Sequence, residues 1–344
     1  MAWLLQRQGH QVTLVDPQPG GPQGEGAGST AALGLLMAQV YRRSSGRGWR
    51  LRQQSLQLWQ AWRAELIARG HALPWRPGLL QLAQSEQELD AQARLAAERQ
   101  ARGLPLRLLS REELQGLQPA MPEAALGGLL SERDGQLDPL PAMAALRADG
   151  LRLGLQERAD AAARLERTPT EALPWRLHLA GGEALELHWL VLCAGLASPG
   201  LLAPLGHHRP QTPVLGQALE LQLSTSSTDA GHWPGSISWG GVNLVPRPGR
   251  RLWLGATLEP GAGPADGQAL EQLRTLAGQA PAWLREAAVI RHWQGLRARP
   301  EGRPAPLLEL LEPGLLLASG HYRNGVLLAP ASAAWAAEQI TAPP

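Results

Sequence analysis

The strongest constraint on the fold lies near the end of the chain, in Leu315-Leu-Leu-Ala-Ser319-Gly320-His321-Tyr322-Arg323-Asn324-Gly325-Val-Leu-Leu-Ala-Pro330. Leu315 to Ala318 is an apolar run long enough for a buried strand and too short for a helix. Ser319-Gly320 breaks it. Asn324-Gly325 then reads as a turn that needs a positive φ, and the Ala-rich pattern from Ala331 to Ile340 is helical. A strand, a glycine turn and a helix start in succession make an anion-seeking site. The first N–H groups of a helix have no partner within it, and its dipole leaves partial positive charge there. Glycine on either side also lets a planar ligand approach the backbone closely. The backbone pattern alone favours an ordinary strand–loop–helix unit over such a site.

A chain of 344 residues suffices for one large or two medium domains with a proper core. Apolar residues at 44% and charged ones at 18% place it among globular proteins. The net charge of +2 is too small to argue for nucleic acid or an anionic membrane. Every basic residue other than histidine is Arg, so the cluster Arg42, Arg43, Arg47, Arg50 and Arg52 reads as a solvated face. The single cysteine, Cys193, allows no internal disulfide and reads as a small core residue. No histidine spacing suggests a metal site, and no apolar run approaches a membrane span. The expected location is a reducing cytoplasm, with homo-oligomerisation left open.

At the other end, Ala2-Trp-Leu-Leu5 reads as a helix stopped by Gly9. Val12-Thr-Leu-Val15 is then a buried strand closed by Asp16. An acid at the end of the second strand of a dinucleotide-binding unit is placed to accept hydrogen bonds from ribose hydroxyls. Gly26-Ala-Gly28-Ser-Thr-Ala31 fits G-x-G-x-x-A, but it follows the acid instead of preceding it and is rejected as the dinucleotide fingerprint.

In between, residues 49–69 carry a broad amphipathic helix pattern, and Pro77 to Ala83 reads as a strand. Ser85-x-x-Glu88 and Ser110-x-x-Glu113 are capping boxes. Leu126 to Leu130 reads as a strand, Asp138-Pro139 opens a helix, and Trp189 to Ala194 is another strand. Beyond residue 212 strands prevail, with a hairpin across Pro248-Gly249, a helix capped by Asp266 and a strand from Ala288 to Trp293.

Gly320-His-Tyr-Arg-Asn-Gly-Val-Leu-Leu-Ala-Pro330 resembles the C-terminal flavin loop of the D-amino-acid-oxidase-like flavoproteins, glycine-oxidase branch. Gly28-Ser-Thr-Ala-Ala-Leu-Gly-Leu35 resembles the family's second flavin segment, although a flexible loop leading into a helix explains it as well. Trp293-Gln-Gly-Leu-Arg297 resembles the W-x-G-L-R motif, and the strand ending Cys193-Ala-Gly195 resembles the one that returns to the nucleotide domain. The resemblance implies an α/β protein with a discontinuous FAD-binding Rossmann-like domain of the glutathione-reductase type, at 1–75, 136–208 and 297–344. An α+β substrate domain would take 76–135 and 209–296.

It further implies non-covalent FAD held by Asp16, Gly28, Ser29, Thr30, Leu33, Gly34, Leu35, Gly195, Gly320, His321, Tyr322, Arg323, Asn324, Gly325, Val326 and Leu327. Arg297 would clamp the substrate carboxylate over the flavin, and Arg323 would stand near the substrate and the flavin. Asn243, standing where the branch has a Tyr before its Val-Pro-Arg, would make the pocket wider or more polar. The activity implied is oxidative deamination of glycine or another small amino acid with oxygen as acceptor, a reaction that in bacteria often feeds thiamine synthesis. A D-amino-acid dehydrogenase passing electrons to a quinone is the alternative, and a flavin-free remnant is another. Met1-Ala-Trp reads as lying inside the first helix of the nucleotide unit, so the preceding strand and its G-x-G-x-x-G turn are not in these residues. The expectation is a true start about ten to twenty residues upstream.

Overall fold

The computed structural model describes residues 1–19, 28–104, 106–169, 173–225 and 228–341. Helix α1 (Ala2–Arg7) ends before Gly9, whose φ of +92° reverses the chain into strand β1 (Thr13–Asp16). The Gly26-Ala27 part of the G-x-G-x-x-A string lies outside the described residues. After turns at 28–31 come β2 (Leu35–Leu36) and α2 (Gly46–Ala68), which begins earlier than its apolar stripe. Then follow β3 (Trp75–Ala83), α3 (Glu86–Gln100), β4 (Arg107–Leu109) and α4 (Arg111–Gln115). Ser110 and Glu113 form the full reciprocal capping box. Ser85 accepts from Glu88 N, but the Glu88 carboxylate turns to Gln84 N instead. The next strand, β5 (Gly127–Leu137), runs well past the expected Leu130.

Asp138 caps α5 (Pro139–Arg152) with Pro at its first position. Strands β6 (Gln156–Ala159), β7 (Ala162–Arg167), β8 (Trp175–Leu179), β9 (Ala184–Leu187) and β10 (Leu190–Leu192) follow, then the short α6 (Ser198–Leu202). The remaining chain supplies β11 (Gln211–Gln222), β12 (Ser236–Trp239), β13 (Val242–Arg247), β14 (Arg251–Gly255) and β15 (Glu259–Pro260). After α7 (Gly267–Arg274), capped by Asp266, and α8 (Ala282–Glu286) come β16 (Ala288–Pro300), β17 (Leu307–Glu312), β18 (Leu315–Ser319) and α9 (Gly325–Thr341).

These strands form four sheets. The largest has ten strands, in the order β15-β11-β14-β13-β12-β3-β5-β2, with β16 on β11 and β4 on β5. It is antiparallel except where β12 meets β3. Its outer face packs into the core of Leu80, Leu221, Ile237, Leu252 and Leu254. On the other side of the molecule, β1 pairs in parallel with β6, while β10 pairs in parallel with β18, which carries β17. The core of this half joins α1, α2 and α9 through Trp3, Trp59, Trp62, Leu327 and Leu328. Trp59 Nε1 donates to Val326 O at 2.8 Å, and Ser55 Oγ accepts from Ala331 N. No helix among the described residues is long and apolar enough to cross a membrane.

Three local expectations are corrected. Gly325 sits in the right-handed helical region at φ −56°, because α9 already starts there, and the positive φ values of the loop belong to Gly320 (+63°) and Tyr322 (+54°). Cys193 is exposed instead of packed in the core, since β10 stops at Leu192 on the wall of a cleft. Arg52 is only 9% exposed and lays its guanidinium 3.8 Å over the Tyr41 ring, so it leaves the solvated face, whereas Arg47 stays exposed while donating to Pro306 O.

Candidate active site

Between the ten-stranded sheet and the two smaller parallel ladders runs one cleft of about 2320 Å³. Asp16 lines the cleft with its side chain exposed and accepts from Gln18 N at 2.8 Å. From there the wall continues past β10 to Gly195, whose φ of +54° and carbonyl bonds to Gln211 and Ser319 fix the turn.

The small-residue segment is positioned by close packing. A Cβ on Gly28 would lie 2.6 Å from Leu296 O, and one on Gly34 would lie 1.8 Å from Leu137 O. Trp293 Nε1 donates to Ala31 O at 3.0 Å, so β16 grips this segment through its own motif. Arg247, stacked 3.6 Å over Trp253, donates to Leu33 O at 3.0 Å. Burial pulls its guanidinium down to about 10. Gly28, Ser29, Leu33, Gly34 and Leu35 line the cleft. Thr30 does not.

At the loop before α9, Gly320, His321, Tyr322 and Arg323 face the cleft, followed by Asn324, Gly325 and Val326. Gly320 is obligatory, since a Cβ would stand 2.6 Å from the Pro300 ring and the backbone is left-handed. His321 shares a hydrogen bond of 2.8 Å with Ser332, and burial holds its ring at about 4, below the ordinary histidine value. Leu327 is a correction: at 1% exposure its side chain turns into the helical core, as the second residue after the helix start must when Gly325 faces outward. Only its backbone N–H remains for the cleft.

Arg297 reaches across from β16. Its Nη1 donates to Leu215 O at 3.2 Å and Thr257 O at 3.1 Å, and its guanidinium covers Gly216, where a Cβ would lie 2.1 Å from Nη2. Thr257 is fixed in turn by Gln217 N at 2.8 Å and by the Glu259 carboxylate. Burial first, and the Arg323 cation second, pull the Arg297 guanidinium below its ordinary pKa. Neither Arg297 nor Arg323 has an ion-pair partner among the described residues. Asn243 faces the cleft from β13 and is 9% exposed.

A family model described as FAD dependent oxidoreductase matches residues 1–339. The chain belongs to this family. Among curated relatives of this FAD dependent oxidoreductase, glycine oxidase of Pseudomonas aeruginosa is 36% identical over 151 residues, covering 42% of this chain and 39% of that protein. Glycine oxidase of Geobacillus kaustophilus is 28% identical over 339 residues, covering 95% of this chain and 85% of its own. The crystal structure of the Geobacillus kaustophilus enzyme superposes with a TM-score of 0.86 at 26% identity, over 98% of this chain and 90% of that one. The matched stretch thus spans well under half of the Pseudomonas protein and most of the Geobacillus one.

The residues present fit FAD. The cleft is continuous from a carboxylate suited to ribose at Asp16 to the N-terminus of α9, a helix of 17 residues whose first N–H groups and dipole favour negative charge. Further lining residues belong to no motif in the sequence. The 37–42 segment presents Met37, Val40, Tyr41 and Arg42 to the cleft. It is anchored by the buried Asp134, which accepts from Ala38, Gln39 and Val40 N at 2.8–3.0 Å, and by Arg99, which donates to Gln39 O and Tyr41 O. Nothing in the sequence marks Asp134, which lies in the polar run Ser131-Glu132-Arg133-Asp134-Gly135-Gln136 beyond the apolar part of its strand.

Proposed function

We propose that this chain oxidises the Cα–N bond of a small amino acid, glycine or a close relative, with oxygen as acceptor. The observation that carries the reading is a pair of cations, Arg297 and Arg323, facing one cleft with no carboxylate partner among the described residues. Two such guanidiniums together call for an anion, and a planar carboxylate takes a guanidinium in bidentate fashion. The chemistry that FAD supplies when bound is acceptance of the α-hydrogen with its electron pair and delivery of both electrons to oxygen. Arg297, fixed by its bonds to Leu215 O and Thr257 O, orients the carboxylate and so the α-carbon. The amine enters the reaction unprotonated. His321, held neutral, adds no third cation to the site. The imine product loses ammonia to water, giving the oxo acid.

The division into a cofactor domain and a substrate domain follows from the same reading, with the ten-stranded sheet as the substrate wall. The test is oxygen uptake by FAD-loaded protein across an amino-acid panel, run with and without an artificial dye acceptor. Uptake that releases ammonia and hydrogen peroxide supports the oxidase. Turnover only with the dye assigns the dehydrogenase instead, and turnover with neither refutes amino-acid oxidation.

A further inference from the structure

The cleft face of the ten-stranded sheet carries an uncharged polar row that carboxylate binding leaves unused. Gln81 of β3 pairs with Ser238 of β12, and Ser238 with Asn243 of β13. Asn243 pairs with Gly255 of β14, Gly255 with Ala218 of β11, and Ala218 with Trp293 of β16. Residues opposite one another in a ladder share a face. Here that face is the cleft, since Gln81, Ser238 and Asn243 all line it. Ser238 is 7% and Asn243 9% exposed, and Asn243 Oδ1 is buried with no hydrogen-bond partner. A buried amide oxygen left unpaired is costly, and rotation of the Asn243 amide toward the cleft that the residue lines would let a ligand group pair with it.

The position of the row limits that group. Arg297 lies over Gly216, the next cleft-facing residue of β11 beyond Ala218. Asn243 is two strands away from Ala218, or about 10 Å at the ordinary strand spacing. A ligand held at Arg297 must therefore extend beyond the frame of glycine to reach the row. The row holds amides and a hydroxyl and no ionisable group, so a second carboxylate or an ammonium would be left there without a counter-charge. Neutral groups that both donate and accept fit it best.

We propose that Gln81, Ser238 and Asn243 form a specificity surface for a neutral hydrogen-bonding substituent, a carboxamide or hydroxyl, several bonds from the substrate carboxylate. The preferred substrates are then amino acids bearing such a group on the side chain or the amine, ahead of glycine and of apolar amino acids. The inference rests on Arg297 as the carboxylate clamp.

Two unreactive carboxylates of matched shape test it by calorimetry on the FAD-loaded protein: succinamate, which ends in a carboxamide, and isocaproate, which ends in an isopropyl group. Succinamate is expected to bind about ten- to a hundredfold more tightly, the cost of leaving the buried amide unpaired. Asn243→Leu should abolish that ratio, and Ser238→Ala, a change unlike it in size, should shrink it even where the larger change disturbs folding. Equal affinities in the unaltered protein, or a ratio that survives both substitutions, overturn the inference alone. Arg297→Ala separates the underlying reading: it should weaken both ligands alike. If neither ligand binds, or if that substitution weakens neither, the carboxylate clamp itself is refuted and the specificity surface falls with it.

Discussion

The cleft wall that carries Arg297 and Asn243 belongs to one ten-stranded sheet, whereas the wall that carries Asp16 and Gly195 is divided between a two-stranded and a three-stranded sheet. The first is built from long ladders: β11, β16 and β5 have 12, 13 and 11 residues. The second uses β1 and β6 of 4 residues and β10 of 3. Long paired strands hold their side chains in register without help from a ligand. Short strands with few ladder bonds sit at the low end of local stability. Under the proposed function, the difference implies a preformed substrate wall facing a cofactor wall that gains most from what binds in the cleft.

The largest effect is expected inside the ten-stranded wall, where the segment leading into β2 packs on the end of β5. Gly34 has φ +80°, and a Cβ there would stand 1.8 Å from Leu137 O. Gly34→Ala should lose about 2–6 kcal/mol, strain and overpacking combined, a large part of the roughly 5–15 kcal/mol of a whole domain. Gly325→Ala is the control. Its φ is −56° and the nearest atom to a Cβ is 3.9 Å away, so the apo-chain should keep its stability or gain up to about 1 kcal/mol. Urea unfolding of both variants without FAD measures the contrast.

Arg297→Ala addresses the preformed wall. Loss of one partner of a desolvated charge pair costs roughly 2–5 kcal/mol, or about one and a half to three and a half decades in kcat/KM. FAD affinity should change little, because the guanidinium bonds to Leu215 O and Thr257 O and covers Gly216 on the substrate wall. Kinetics beside a flavin titration separates the two effects.

Hydrogen exchange sharpens the comparison further. With FAD at a hundred times its dissociation constant, the stabilisation is about 2.7 kcal/mol. It should appear as slowed exchange in β1 and β10, with β13 and β14 almost unchanged. Uniform slowing across both walls would remove the distinction drawn above.

A smaller effect lies in acid. Burial puts His321 at about 4, below its usual 6.5, so between those values the unfolded chain binds more protons and stability falls as pH falls. Burial pushes Asp134 up to about 6 from 3.8, against the opposing pull of its backbone hydrogen bonds. The folded state there binds more protons, and stability rises as pH falls from about 6 to about 4. The two oppose each other, one beside each wall. His321→Gln removes the first, so its Tm relative to the unaltered protein should be higher at about pH 4.5 than at about pH 7.

The parts legible in the sequence were those written locally. Asp138-Pro139, Ser110 with Glu113, Asp266 and the Pro248-Gly249 hairpin all stand where their side chains cap or turn the backbone. The motif residues Gly28, Arg297 and Gly320 likewise line one cleft, and Trp293 holds the segment after Gly28 through Ala31 O. What was hidden depends on pairing between distant segments. Gln81, Ser238 and Asn243 become one row only because β3 lies beside β12. Asp134 acts on residues about a hundred positions away. The left-handed residue of the loop could not be read correctly either: Gly325 looked the natural choice, but α9 starts at that position and Tyr322 takes the strain.

The most direct test of the central claim, that this cleft holds FAD against the α-carbon of an amino acid, is anaerobic mixing. FAD-loaded protein is mixed without oxygen with a panel of small and polar amino acids, and the visible absorbance of the flavin is followed. The expected result is bleaching by at least one amino acid, return of the colour when air is admitted, and loss of the bleaching in Arg297→Ala protein that still carries FAD. Stoichiometrically bound FAD that no amino acid reduces would contradict it.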